Sequence, residues 1–148
     1  MFRGATSLSL DAKGRLAVPS RHRDLLQAQC AGHLVLTAHP HRCLLLYPQP
    51  AWEPIQSKVM ALSSFDKQSS ALQRLLVGYA EDVELDSAGR LLVSPVLREF
   101  AGLDKQAMLV GQGSHFELWG MEGWRQQMDR LMASDDMALP SELDGFSL

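Results

Sequence analysis

The chain of 148 residues has only two cysteines, Cys30 and Cys43, and they lack CxxC spacing. That argues against a disulfide framework and reads as two reduced thiols used for packing. No stretch approaches the ~20 apolar residues of a membrane span. The first residues, Met-Phe-Arg-Gly-Ala-Thr, lack the apolar run of a signal peptide, which predicts a cytoplasmic protein. There is no Gly-x-Ser-x-Gly nucleophile turn. Gly111-Gln112-Gly113 joins two expected strands instead of opening a helix, so it lacks the context of a phosphate loop. His39-x-His41-x-Cys43 offers three potential metal ligands at alternate positions. Pro40 puts the two histidines in a loop, however, and no second cluster closes a metal shell. Glu81 and Asp82 read as solvated strand ends. Nothing argues for an enzyme, and no metal, cofactor or small-molecule substrate is expected.

A repeat is present instead. Leu10-Asp11-Ala12-Lys13-Gly14-Arg15-Leu16-Ala17-Val18 returns as Leu85-Asp86-Ser87-Ala88-Gly89-Arg90-Leu91-Leu92-Val93. Arg23-Asp24-Leu25 matches Arg98-Glu99-Phe100, and Leu34-Val35 matches Leu109-Val110. After a short slip, Leu46-Tyr47 matches Leu118-Trp119 and Trp52 matches Trp124. Two copies are too few for a solenoid. They predict one pseudo-symmetric domain, or two small ones sharing a core. Within each motif, Asp accepts bonds from backbone N–H groups just downstream and Gly supplies a positive φ. Each motif therefore predicts strand, tight turn, strand. Each Arg either pairs with its own Asp or reaches outward.

The remaining pattern predicts an α+β chain. The first copy reads as a strand to residue 10, a strand at 15–18 and a helix at 21–29 capped by Ser20. In that helix Leu25, Leu26 and Ala28 should face inward, with Arg21, His22 and Arg23 elsewhere. Strands follow at 34–37 and 43–47. Helix 51–62 carries Trp52, Ile55, Val59 and Leu62 on one face. Asp66 caps a helix over 67–77, with Ala71, Leu72, Leu75 and Leu76 inward and Lys67, Gln73 and Arg74 outward. That helix has no counterpart, so it connects the repeats. The second copy gives strands at 80–86, 90–93, 107–111 and 115–119. It also gives a helix at 95–101 and a helix at 123–132 with Trp124, Met128, Leu131 and Met132 inward. The stripes Trp52/Ile55/Val59 and Leu72/Leu75/Leu76 exceed what one small core needs, which predicts a homo-oligomer larger than a dimer.

Charge is distributed unevenly. The net value is −3, weak support for a nucleic-acid partner. Yet residues 1–24 carry Arg3, Lys13, Arg15, Arg21 and Arg23 against only Asp11 and Asp24. Residues 135–148 carry four acids and no base. A basic head and an acidic tail is the asymmetry that matters. A hairpin tip bearing Lys13 and Arg15 suits the DNA major groove, which admits a two-stranded ribbon. Arginine suits a forked contact to a guanine edge or a phosphate, and Arg3, Arg21 and Arg23 are placed to hold the flanking backbone.

Four features together resemble the MraZ family of bacterial transcription regulators. They are Met1-Phe2-Arg3-Gly4, the tandem Leu-Asp-x-x-Gly-Arg copies, Gln73-Arg74-Leu75-Leu76-Val77-Gly78 and Phe116-Glu117-Leu118-Trp119. The resemblance spans residue 1 to about residue 131. It implies a pseudo-twofold, swapped-hairpin β-barrel of the AbrB/SpoVT type, formed by the two repeats with helices packed outside. It implies a homo-oligomeric ring that binds direct repeats of double-stranded DNA in the promoter of the cell-division and cell-wall gene cluster. Carried over by position, the DNA loop falls on Lys13 and Arg15, with Arg90 as its second-copy counterpart. Ala88 departs from the pattern by replacing the turn lysine, and Ser94 stands where the first copy has Pro19. The expected divisions are a first repeat at 1–53, a helical connection at 54–79, a second repeat at 80–133 and a flexible acidic tail at 134–148. A nucleoid-associated regulator is the expected function. The alternative is a ring-forming protein scaffold or an antitoxin-like partner binder.

Overall fold

The computed structural model describes residues 1–134 and 140–147; residues 135–139 and 148, within the expected acidic tail, lie outside the described part. The chain runs β1 (Phe2–Ser9), β2 (Arg15–Ala17), α1 (Ser20–Cys30), β3 (His33–Ala38), β4 (Leu44–Pro48), α2 (Gln49–Met60) and α3 (Lys67–Leu76). The second half repeats the order as β5 (Glu81–Glu84), β6 (Arg90–Leu92), α4 (Pro95–Ala101), β7 (Gln106–Gly113), β8 (Phe116–Gly120) and α5 (Met121–Ala133). A 3-10 turn covers Ser141–Leu143. Among the described strands and α-helices, α3 alone lacks a counterpart. α2 passes without a break through residue 53, where the first repeat was expected to end.

The halves exchange strands. One antiparallel sheet has the order β1-β7-β8-β4-β3-β5, and β2 pairs with β6 in a separate ribbon. Each copy's first strand thus lies on the other copy's third strand, β1 on β7 and β5 on β3. The order reads the same from either end once the copies are swapped. This is the pseudo-twofold symmetry foreseen in the repeat. The six-stranded sheet is open, with β1 and β5 at its edges, and is not a closed barrel.

The sheet is covered on both faces, so its central strands are continuously apolar. On one face, Leu34, Leu36, Leu44, Leu46, Leu109 and Phe116 meet Leu16 and Leu91 of the ribbon, Val18 and Val93 just beyond its strands, Leu26 of α1 and Leu97 of α4. On the other, Val35, Leu45 and Tyr47 lie under Trp52 of α2, and Cys43, Val110 and Trp119 lie beside Trp124 of α5. Thr37 is fully buried there, and its hydroxyl donates to the Leu76 carbonyl at 2.6 Å.

Several helix faces differ from expectation. In α1, His22 is buried against Phe2 and Phe116 while Leu25 is exposed. The imidazole fills an aromatic niche that a hydropathy pattern does not register. In α3, Gln73 turns toward α2 and donates to the Val59 and Leu62 carbonyls at 3.1 and 2.9 Å. Leu62, which lies beyond the end of α2, and Leu131 and Met132, in the last turn of α5, are exposed. Trp52 and Val59 are consumed by their own chain, so that stripe is not surplus surface. Asp66 caps α3 as expected, accepting the Ser69 N–H at 3.0 Å.

Candidate nucleic-acid interface

The two motif turns are built alike. Asp11 Oδ1 accepts the backbone N–H groups of Lys13 and Arg15, each at 2.9 Å, and Oδ2 accepts Arg15 Nε at 2.8 Å. The Gly14 N–H closes the turn on the Asp11 carbonyl at 3.0 Å. Asp86 repeats the pattern, taking the N–H groups of Ala88 and Arg90 and the Nε of Arg90, all at 2.9 Å. Gly14 and Gly89 stand at φ 86° and 72°, a region that favours glycine. The backbone bond from Arg15, with its guanidinium and the Lys13 N–H, holds the Asp11 carboxyl down to about 2. Asp86 is lowered in the same way, chiefly by the Arg90 N–H. The pairing of Arg with its own Asp, left open by the sequence, therefore occurs in both turns. It spends one of the five N–H donors of each guanidinium, and the Arg15 and Arg90 side chains remain 31% and 38% exposed.

The ribbon joins the turns. Leu16 pairs with Leu91, and both are buried. Alternation along a strand then places Arg15, Ala17, Arg90 and Leu92 on the opposite, outer face. Arg15 lies across from Leu92, and Arg90 across from Ala17. The Val93 N–H donates to the Gly14 carbonyl at 2.9 Å and the Val18 N–H to the Gly89 carbonyl at 3.0 Å. The turns therefore cap opposite ends of the ribbon, about 14 Å apart at the usual strand rise.

Strand exchange redistributes the other predicted site residues. Arg23 follows the first motif in sequence but serves the second turn. Its Nε donates to the Val18 carbonyl at 2.6 Å and its Nη1 to the Ala88 carbonyl at 3.3 Å. Arg21 lies over β1, donating to the Thr6 hydroxyl at 2.9 Å and to His22 Nε2 at 3.2 Å. Arg3 stands opposite Gln112, roughly 27 Å along an extended chain from Asp11, so the structure does not gather it at the first turn. Lys13 is exposed, and among the described residues its ammonium has no partner. The residues that flank the first turn come from the second copy. A 420 Å³ surface cavity beside it is lined by Asp11, Ala12, Arg98 and Lys105, among others. Glu81, read from the sequence as a solvated strand end, accepts the Ser94 hydroxyl at 2.6 Å, next to the first-turn end of the ribbon. Arg98 and Lys105 were missed because neither adjoins a motif. The match of Arg98 to Arg23 was the signal available for the former.

Elsewhere, burial pushes the Cys43 thiol up to about 12, in keeping with a packing role. His39 Nδ1 accepts the His41 N–H at 3.0 Å. Among the described residues no group of three His, Cys, Asp or Glu side chains is placed to hold a metal ion, and no helix is long and apolar enough to cross a membrane.

Fold and site together define a tandem-repeat α+β protein whose halves exchange strands to present a matched pair of Asp-x-x-Gly-Arg turns. Residues 1–75 and 76–145 each match the family model described as "MraZ protein, putative antitoxin-like". The chain is 78% identical over its full length, and that of the relative, to the "Transcriptional regulator MraZ" of Methylobacillus flagellatus. It is 60% identical, again over the whole of both chains, to the protein of that name from Nitrosospira multiformis. The one from Dechloromonas aromatica is 58% identical over 87% of each chain. The chain belongs to the MraZ family.

Proposed function

We propose that this chain is a sequence-specific DNA-binding transcriptional regulator that works without catalysis or a cofactor. The observation that carries this reading is the ribbon with an arginine-bearing turn at each end. A two-stranded ribbon fits the major groove. A separation of about 14 Å corresponds to roughly four base-pair steps at 3.4 Å, so both turns can address one short stretch of duplex. Arg15 with Lys13 makes the main contact and Arg90 the second. Arg21 and Arg3 hold more distant phosphates, and Arg23 acts from behind the second turn. The relatives' designation as transcriptional regulators supports a role in transcription.

In its finer form the reading follows the family resemblance. In this reading the exchanged strands and the ribbon are the swapped-hairpin arrangement, set around an open six-stranded sheet. Copies of the chain assemble into a ring that engages promoter direct repeats of the cell-division and cell-wall gene cluster, at the nucleoid. Phe65, 99% exposed beside Met60 and Leu62 at the corner between α2 and α3, supplies apolar surface for such assembly.

The test is a footprint of the purified protein on the DNA upstream of its own gene, with light scattering on the same sample. Protection of short repeated sites by an oligomer supports the reading. Absence of protection, with no retention on heparin, would favour a protein-binding scaffold or an antitoxin-like partner.

A further inference from the structure

Gly14 and Gly89 are buried, although Lys13 and Ala88 beside them are exposed. Each glycine is covered by an arginine from the opposite copy. A Cβ on Gly14 would meet Arg98 Nε at 2.7 Å and Cζ at 2.8 Å. A Cβ on Gly89 would run into the Arg23 side chain, meeting Nε at 2.6 Å. Arg98 Nε also donates to the Val93 carbonyl at 3.0 Å, and the Val93 N–H donates to the Gly14 carbonyl. Arg23 does the same through Val18, whose N–H donates to the Gly89 carbonyl. The two arginines occupy one repeat position, on α1 and α4.

We propose that Arg98 is the positioning residue of the first turn and Arg23 that of the second. Each is a brace running from the helix of one copy to the DNA-facing turn of the other. An exposed hairpin tip has few contacts of its own, and exposed backbone hydrogen bonds open easily. A guanidinium seated on the glycine, tied to the carbonyl of the residue that pairs with that glycine, restricts this opening. Contact residues need such a supporting shell to keep their pose. The brace fixes the pose of Lys13 and Arg15 while the Nε of Arg98 is itself spent on the Val93 carbonyl. Strand exchange makes the bracing reciprocal, because each turn, closed by its own Asp, is braced by the helix of the other half. The functional part of the proposal rests on the DNA reading of the turns.

The test is amide hydrogen exchange on the full-length chain, resolved to residues 11–15 and 86–90. It is run on the native protein, Arg98→Ala and Arg23→Ala, with gel shifts on the footprinted DNA in parallel. Arg98→Ala should speed exchange about tenfold at 11–15 and leave 86–90 unchanged, the loss expected for one hydrogen bond made by a charged group. Arg23→Ala should do the reverse. Affinity for DNA should fall about tenfold in Arg98→Ala. Equal loosening of both segments, or of neither, would overturn the brace. Loosening at 11–15 with unchanged affinity would keep the brace and remove the first turn from the DNA contact. If Arg98→Ala fails to fold, Arg98→Met, which keeps an unbranched side chain but has no N–H donor for the Val93 carbonyl, is measured against the same criteria.

Discussion

Arg15 Nε reaches Asp11 Oδ2 at 2.8 Å while Asp11 Oδ1 holds the N–H of Arg15 itself. One carboxylate thus sets both the backbone and the side-chain direction of the residue at the ribbon's outer face. Asp11→Asn keeps an oxygen for the backbone N–H groups but loses the charge, and Asp11→Ala loses both. DNA affinity should fall in the order native, Asn, Ala, with roughly tenfold or more lost at Ala. Circular dichroism should stay native, since the buried core is untouched. Gel-shift titrations at one salt concentration check this, and an unaffected Asp11→Ala would remove the turn's geometry from recognition.

Stability should fall with acid in two stages. His22 is packed between Phe2 and Phe116 and accepts from Arg21, and burial followed by the Arg21 charge lowers its pKa. The folded state therefore binds the His22 proton less readily than the unfolded state does. That contribution is present above about 6.5 and declines as pH drops below it. Asp11, held at about 2, contributes above its unfolded value near 4 and is lost as pH falls from there toward 2. Thermal midpoints measured from pH 8 to 2 should show both declines. His22→Leu should flatten the upper stage and Asp11→Asn the lower.

The ribbon's inner face carries the core load. Leu16 and Leu91 are each 1% exposed and directly paired, whereas Leu92 is 53% exposed. Leu16→Ala and Leu91→Ala should each cost about 2–5 kcal/mol, and Leu92→Ala within about 0.5 kcal/mol. Urea unfolding curves decide this. Comparable losses for Leu91 and Leu92 would contradict the assigned faces.

Much of this arrangement was legible in local sequence. Asp-x-x-Gly-Arg dictates its own turn, Asp66 its own cap, and the 75-residue offset the pseudo-symmetry. Strand partners were not legible, because a strand's pattern specifies which face is buried and not which neighbour it takes. Arg23 shows the consequence: it follows the first motif in sequence, yet its guanidinium donates to the Ala88 carbonyl of the second turn. Nor does pattern decide whether a sheet closes on itself, and here the order β1-β7-β8-β4-β3-β5 is open. His22 was misplaced because hydropathy scores an imidazole as polar, although two aromatic rings can enclose its neutral form.

The two turns should contribute unequally to DNA binding, for reasons of space instead of sequence. Both hold their Arg through the same Asp bonds, so the difference lies in what surrounds them. The first turn has exposed Lys13 and, across the cavity beside it, Lys105. The second has Ala88 at the lysine position, and its neighbour Arg23 is spent on the Val18 and Ala88 carbonyls. Glu81 opposes this ranking by lying near the first-turn end of the ribbon, but its carboxylate accepts the Ser94 hydroxyl. Losing a bidentate base contact costs about 1–3 kcal/mol, roughly ten- to a hundredfold per site, and an oligomer on tandem sites multiplies that. Arg15→Ala should therefore abolish detectable binding, while Arg90→Ala should weaken it by about tenfold. Lys13→Ala should instead lower affinity evenly across sequences and flatten the salt dependence by about one unit of slope. Gel-shift titrations of the three variants over a salt series check the ranking. An Arg90→Ala loss exceeding that of Arg15→Ala, with the fold intact, would reverse the assignment of the turns.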